Sequence, residues 1–252
     1  MRAETVRNIA KHLRRTPLHP QWLLGSKETT GGWVAHAVRG RILDIGCADR
    51  WIEQRLPRGS DYIGLDYLAT GKHMYGARPD LFADASQLPL ADASVDTVVI
   101  LEVMEHLRQP REALQEIVRV LRPQGRLLLT MPFLYPIHDA PHDYQRLTIH
   151  GLIRDIEAVG LRVDEVLPTL GSAETAGLIA CLTLGGMSLR AVQQRSPSLL
   201  LVPLFGVVIP VINLLAWLCG RLVPSWDALT AGYRLVATNT REQHTGASCD
   251  AE

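Results

Sequence analysis

The chain has 252 residues, of which 47% are hydrophobic, and this length most simply fits one domain with an insertion. Its 26 basic and 26 acidic residues balance, which argues against the strongly basic surface of a general nucleic-acid-binding protein. The four cysteines form no CxxC pair and no other metal-ligand spacing, a pattern that favours free thiols in a reducing cytosol.

The first segment predicts an amphipathic helix. From Thr5 to Leu13 apolar residues recur at helical spacing with cations between them, and Pro17 and Pro20 end the pattern. Such a helix either caps the domain or rests on anionic lipid. Residues 1–18 contain no long apolar run between their basic residues, so we expect no secretory signal and a cytoplasmic protein.

Two short apolar runs that each lead to an acid dominate the next segment. Arg41–Ile45 contains Asp44 and breaks at Gly46, which predicts a buried parallel strand, a tight turn and then a helix over 49–56. Tyr62–Asp66 ends in a carboxylate that can accept both hydroxyls of a ribose. The pattern predicts a site for an adenosine-containing cofactor. A nicotinamide dinucleotide is disfavoured, because its pyrophosphate needs a turn with three glycines.

The chain then alternates predicted strands with amphipathic helices, as in an α/β fold. Val95–Leu101 is a continuous and largely β-branched run, which predicts a central strand that is buried on both faces. Thr148 is the predicted N-cap of a helix that Gly160 ends. The remaining predicted strands cover 80–83, 126–131, 161–167 and 231–239, and a further helix covers 111–121.

As a set, these motifs resemble the class I S-adenosylmethionine-dependent methyltransferases. The resemblance covers 41–167 and 233–238 and rests on RILDIGCAD, YIGLD, FADAS and SVDTVVILEVMEHL; Ala48 and Arg50 stand where the family usually has further glycines. It implies an α/β fold with a Rossmann-like seven-stranded class I methyltransferase sheet and an apolar helical insertion between the last two strands. It also implies S-adenosyl-L-methionine as the cofactor. The cofactor-binding residues that it implies are Asp44, Gly46, Cys47, Ala48, Asp66, Tyr67, Asp84, Ala85, Leu101 and Glu102.

A polar loop, 132–148, follows the fifth strand at the sheet edge where ligands bind in open α/β folds. It resembles the HxxPxDxxRxT signature of a bacterial subset of the family, often thought to act on glycans, lipids or secondary metabolites. We expect His138 to take the proton from the acceptor and Asp143 to orient its imidazole. Alternatively, Asp143 and Arg146 pair to pin the loop. A metal site formed by His138, Asp139, His142 and Asp143 is the weaker alternative, because no scaffold fixes their geometry.

The composition changes after Ser172. Residues 175–189 and 196–220 carry no charge, and the second run is long enough to cross a bilayer, although Pro203 and Pro210 argue against a straight helix. A single crossing would separate the last strand from the sheet. The insertion therefore forms a monotopic or re-entrant hairpin anchored by Trp217 and Trp226, or a soluble lid or dimer face.

These expectations define a domain plan and a function. Residues 1–38 form an N-terminal helical cap, 39–170 with 229–240 the methyltransferase domain, 171–228 the hydrophobic helical insertion and 241–252 a disordered tail. The predicted activity is methyl transfer to an oxygen or nitrogen atom of a lipophilic, lipid-linked or glycan-type acceptor, without nucleic acid, at the cytoplasmic membrane surface, with a homodimer possible. The alternative is a non-catalytic relative that acts as a membrane-docked binding or scaffold protein.

Overall fold

The computed structural model describes residues 13–25 and 27–241. They form two compact units that interleave along the chain. The sheet unit contains 32–131, 147–166 and the residues from 235 onward; the hairpin unit contains 132–146, 167–234 and the residues up to 31. The helix predicted over Thr5–Leu13 and the predicted disordered tail lie almost entirely outside the described residues.

A sheet of seven strands confirms the predicted fold class, with the strand order β3-β2-β1-β4-β5-β7-β6. The pairs β1–β2, β1–β4, β2–β3 and β4–β5 are parallel, so the carboxyl ends of these strands share one edge. The strands are β1 Ile42–Ile45, β2 Tyr62–Asp66, β3 Leu81–Phe82, β4 Val95–Leu101, β5 Leu121–Pro132, β6 Leu161–Pro168 and β7 Gly232–Asn239.

Three helices accompany the sheet: α1 Lys27–Ala37, α2 Pro110–Val120 and α3 Ile149–Glu157. The apolar residues of α2 recur on one face, and that face is buried. Thr148 caps α3 as predicted, since its hydroxyl accepts a hydrogen bond from the backbone N–H of Gly151 at 3.2 Å. The core of the sheet unit includes Val34, Ile42, Ile52, Val99 and Leu128.

The helix predicted over 49–56 is wrong. The chain instead makes turns and one short 3-10 segment, Glu53–Arg55. Ala48 and Arg50 have φ values of 46° and 56°, and such left-handed residues interrupt a right-handed helix. The sequence pattern also missed a π-helical segment, Leu68–Tyr75, which follows β2. The donors that the segment after β1 offers to a ligand therefore belong to turns and not to an α-helix N-terminus.

In the hairpin unit, the segment between β6 and β7 is helical, as the sequence predicts. It contains α4 Ser172–Gln194, a 3-10 turn Pro197–Leu201 and α5 Val202–Leu222. The second helix contains both prolines without interruption: Pro203 lies in its first turn, and Pro210 lies inside it. Packing against α4 stabilises α5 despite the missing N–H. The two helices approach so closely that a Cβ on Gly177 would lie 2.5 Å from that of Ala216.

A buried amide ties α5 to the residues before α1. Asn213 has 0% exposure, and its Nδ2 donates to the carbonyl oxygens of Pro17 and His19 at 2.6 and 3.0 Å. Its Oδ1 accepts from the thiol of Cys181 at 3.4 Å. An apolar cluster formed by Leu23, Leu178, Ala216 and Ala231 completes this core. Two segments, Ser172–Gln194 and Pro197–Leu222, are long and apolar enough to cross a membrane by length and composition.

Candidate cofactor and catalytic sites

The turn after β1 is shaped by one glycine. Gly46 has a φ of 78°, and a Cβ there would lie 2.3 Å from Cγ2 of Val103, so both the conformation and the space exclude a side chain. The backbone N–H groups of Gly46 and Cys47 donate to the carbonyl of Leu65 at 2.8 and 3.1 Å. The turn is thereby fixed to the end of β2, where Asp66 stands.

The carboxylate of Asp66 is positioned by backbone donors on both sides. Its Oδ2 accepts from the N–H of Ala48 at 2.9 Å, and its Oδ1 accepts from the N–H of Tyr67 at 2.8 Å. Burial raises the pKa of Asp66, and these two hydrogen bonds act in the opposite direction. Because each carboxylate oxygen accepts about two hydrogen bonds, acceptor capacity remains for a vicinal diol.

Asp44 and Cys47 face the interior. Asp44 is 3% exposed and its Oδ2 accepts from the hydroxyl of Tyr62 at 2.7 Å. Burial raises the pKa of Asp44 to about 7. Cys47 is 1% exposed, and burial raises the pKa of its thiol to about 12, so it stays neutral at physiological pH.

Arg50 holds the turn from outside. Its guanidinium pairs with Glu53 at 2.7 Å and with Asp80 at 2.8 Å, and it lies 5.0 Å from the centre of the Tyr62 ring. Asp80 also accepts from the backbone N–H of Gly64 in β2 at 2.7 Å. From the sequence, Arg50 is only a departure from the glycine usual at this position, and Tyr62 was not predicted to be part of the site. The sequence feature that could have identified Tyr62 is its place as an aromatic residue in β2, the strand next to the one that contains Asp44.

The other residues implied by the resemblance follow β3 and β4 at the same sheet edge. Asp84 is exposed and makes a turn in which its Oδ1 accepts from the N–H and the hydroxyl of Ser86 at 2.9 and 2.8 Å. Ala85 is 5% exposed. Glu102 follows Leu101 with a φ of 53°, and its N–H donates to the carbonyl oxygen of Thr130 at 3.1 Å. Their contacts with a cofactor stay predictions.

The donor set at this edge fits S-adenosylmethionine. A carboxylate with spare acceptor capacity suits the ribose hydroxyls, and a tight turn beside it lets backbone groups approach the ligand. The turn offers a single glycine in place of the three that cradle a pyrophosphate, which disfavours a dinucleotide.

The polar loop of the hairpin unit contains the predicted catalytic pair. The imidazole Nδ1 of His138 lies 3.3 Å from Oδ2 of Asp143, which also accepts from the backbone N–H of His138 at 2.9 Å. Arg146 donates to both oxygens of Asp143, at 2.5 and 2.8 Å. This pairing lowers the pKa of Asp143 to about 2. The geometry is compatible with both interpretations of the loop. Asp143 pairs with Arg146, as a structural role requires, and it also contacts the imidazole of His138, as a catalytic role requires.

The weaker metal alternative finds no support in the geometry. Within 13–25 and 27–241, no three of His138, Asp139, His142 and Asp143 bring ligand atoms within 4.8 Å of one another.

Comparison with known proteins identifies the family to which the sheet unit is similar. Residues 43–129, from β1 into β5, match a protein family described as a methyltransferase domain. A protein of Mycolicibacterium smegmatis named "Probable S-adenosylmethionine-dependent methyltransferase" is 33% identical over 175 residues, which are 65% of this chain and 67% of that protein. The demethylmenaquinone methyltransferase of Paenarthrobacter aurescens is 32% identical over 112 residues, which are 42% of each chain.

A solved structure extends the likeness in fold. The crystal structure of a SAM-dependent methyltransferase from Archaeoglobus fulgidus matches with a TM-score of 0.51 at 19% identity, over 85% of this chain and 95% of that one. The sequence matches span about two thirds of the M. smegmatis relative and less than half of the P. aurescens relative. The chain belongs to the class I S-adenosylmethionine-dependent methyltransferases, enzymes that transfer the methyl group of this cofactor to an acceptor.

Proposed function

We propose that this chain transfers the methyl group of S-adenosylmethionine to an oxygen or nitrogen atom of a lipophilic acceptor, lipid-linked or glycan-type. The observation that carries the choice of acceptor is the apolar insertion between β6 and β7. Within its second segment, Pro197–Leu222, an 18-residue window has a mean hydropathy of 2.6, and only 17% of that window is buried. A relative named for demethylmenaquinone supports the same class of acceptor. The chain would work at the cytoplasmic membrane surface, as a monomer or a homodimer.

Each residue has a defined task in this proposal. When bound, S-adenosylmethionine supplies a methyl group on a positively charged sulfur, which is already electrophilic. Asp66 would hold the ribose through its remaining lone pairs, and the turn at Gly46 would let the backbone approach the cofactor. His138 would take the proton from the acceptor as it is methylated, with its ring oriented by Asp143, which the pairing with Arg146 keeps ionised. Alignment and exclusion of water would supply most of the rate.

Titration calorimetry with S-adenosylhomocysteine tests the cofactor site. We expect micromolar binding by the wild type and a weakening of about tenfold or more in Asp66→Ala, because hydrogen bonds to a charged group are lost. The matched control is Asp61→Ala, which removes an exposed carboxylate just before β2. Unchanged affinity in Asp66→Ala would refute the ribose assignment. An absence of binding in the wild type would favour the non-catalytic scaffold protein.

A second assay tests the acceptor. Protein, radiolabelled S-adenosylmethionine and a lipid extract are incubated together, and label is counted in the organic and aqueous phases. Label in the organic phase supports a lipophilic acceptor. Cofactor binding with label only in water-soluble products would exclude a lipophilic or lipid-linked acceptor, would leave only the glycan-type acceptor, and would leave the methyltransferase assignment intact.

A further inference from the structure

The outer face of α5 is an apolar surface that no other part of the described chain covers. Leu204, Val207, Val211, Leu214, Leu218 and Leu222 recur at steps of three and four residues and are 45–72% exposed. Leu215 and Trp217 widen the stripe on its two sides. At 100° per residue, exposed apolar side chains cover about 160° of the helix circumference. A soluble domain rarely leaves so continuous an apolar surface in water.

The width of this surface indicates what covers it. A neighbouring helix in a coiled coil covers a narrow seam formed by two positions per heptad. The exposed apolar face of α5 covers nearly half of the helix circumference, and no charged residue occurs from Val202 to Gly220. This face is wider than a coiled-coil seam and matches the hydrocarbon of a lipid leaflet. The core helix of a soluble protein can be equally long and apolar, but such a helix is mostly buried, whereas only 17% of the 18-residue apolar window of this helix is buried.

The partner helix lacks such a face. The exposed positions of α4 are Ala176, Thr183, Gly186, Met187, Arg190, Gln193 and Gln194, and Met187 is the one large apolar residue among them. Its uncharged run, 175–189, is about 22 Å long as a helix, while the hydrocarbon core of a bilayer is about 30 Å thick. These features argue against a hairpin that crosses the membrane twice, because both of its helices would face lipid along their length.

The charges of the hairpin complement anionic lipid. Across the insertion, 171–228, the charged residues are Glu174, Arg190, Arg195, Arg221 and Asp227; the three arginines and Asp227 are exposed. Glu174 is turned toward α5, since its carboxylate occupies the space where a Cβ of Gly220 would stand. The guanidinium of Arg221 lies 3.7 Å from the centre of the Trp217 ring, a pairing suited to the headgroup region. The net charge of the exposed surface is therefore positive.

We propose that α5 docks on an anionic bilayer with its axis parallel to the surface, its outer face embedded in one leaflet and α4 on the solvent side. The inference deepens the membrane location proposed above. It is independent of methyl transfer, because vesicle binding and S-adenosylhomocysteine binding are measured separately.

Vesicle co-sedimentation with a matched pair of variants tests the orientation. Vesicles contain phosphatidylcholine alone, or phosphatidylcholine and phosphatidylglycerol in equal amounts. Val211→Glu places a charge on the outer face of α5, and Met187→Glu places one on α4, where Met187 is 53% exposed. Both positions are at least half exposed, so the variants keep the fold; circular dichroism and thermal unfolding check this.

We expect the wild type to bind the anionic vesicles more strongly than the neutral ones. Val211→Glu lowers the partition coefficient about tenfold or more, whereas Met187→Glu binds like the wild type. Equal losses in both variants would indicate a spanning hairpin and overturn the parallel orientation. Normal vesicle binding by Val211→Glu would also overturn the proposal. So would a wild type that does not bind vesicles and elutes as a dimer, if the Val211→Glu variant elutes as a monomer.

Discussion

Asp44→Asn should change how the stability of the apoprotein depends on pH. Asp44 is 3% exposed, and its pKa of about 7 exceeds the value of about 3.9 that the unfolded chain gives an aspartate. The protonated form is therefore favoured in the folded state. The contribution of Asp44 to stability is fully present below pH 4 and is lost as the pH rises through 7, because ionisation then costs the folded protein more than the unfolded chain.

The magnitude follows from the two pKa values. A difference of about 3 pKa units corresponds to about 4 kcal/mol at pH 8, and roughly a third of this cost is already present at pH 5. Asparagine keeps an acceptor for the Tyr62 hydroxyl and has no charge to lose. Its extra N–H group adds an offset that does not depend on pH. The free energy of unfolding of Asp44→Asn minus that of the wild type should therefore rise by about 3 kcal/mol from pH 5 to pH 8.

Urea unfolding without cofactor, at pH 5, 6, 7 and 8, measures this difference. Asp61→Asn is the control, because Asp61 is exposed and should give a difference that stays flat. Parallel pH profiles for Asp44→Asn and the wild type would show that Asp44 is ionised throughout this range, and the account of its burial would then be wrong.

Three further predictions concern the turn, the hairpin and the loop. Gly46→Ala should lower the free energy of unfolding by about 3 kcal/mol more than Gly59→Ala in urea titrations, because both have positive φ but only Gly46 would clash with Val103; equal losses would refute the steric argument. Asn213→Ala should destabilise by about 2 kcal/mol or more, since the partly buried carbonyls of Pro17 and His19 lose their donor, and an unchanged melting temperature would contradict this. His138→Ala should reduce kcat about a hundredfold with unchanged affinity for S-adenosylhomocysteine, while His142→Ala serves as the loop control; wild-type turnover would remove His138 as the base.

The fold was predictable where one physical pattern dominates. Val95–Leu101 is largely β-branched and ends in four consecutive apolar residues, and it forms the strand predicted for it, with the same bounds. Thr148 is the predicted cap and receives the predicted bond. The errors fall where tertiary contacts override local preference. The run after Gly46 has helix-forming residues but left-handed φ values.

The candidate site shows the same division. Asp44, Gly46 and Asp66 could be predicted because strand ends and turns follow from the sequence. Their partners could not be: Tyr62 lies beside Asp44 only through the pairing of β1 with β2, in which Asp44 is opposite Gly64. Asp44 accepts a hydrogen bond from the Tyr62 phenol in the interior, whereas Asp66 accepts from backbone N–H groups at the sheet edge. These different orientations likewise depend on the packed sheet.

Arg50 illustrates why a departure from a family pattern need not weaken a site. The turn requires left-handed backbone, which costs a residue with a Cβ about 1 to 2 kcal/mol. Arg50 adopts that conformation with a φ of 56°, and its side chain pairs with Glu53 and Asp80 while it stacks on Tyr62. Partly exposed ion pairs contribute up to about 1 kcal/mol each, and a cation over an aromatic ring adds about 0.5 to 1 kcal/mol. These contacts offset the strain, so the turn keeps the shape that a glycine would give it, and Arg50 in addition links the turn to the residues before β3.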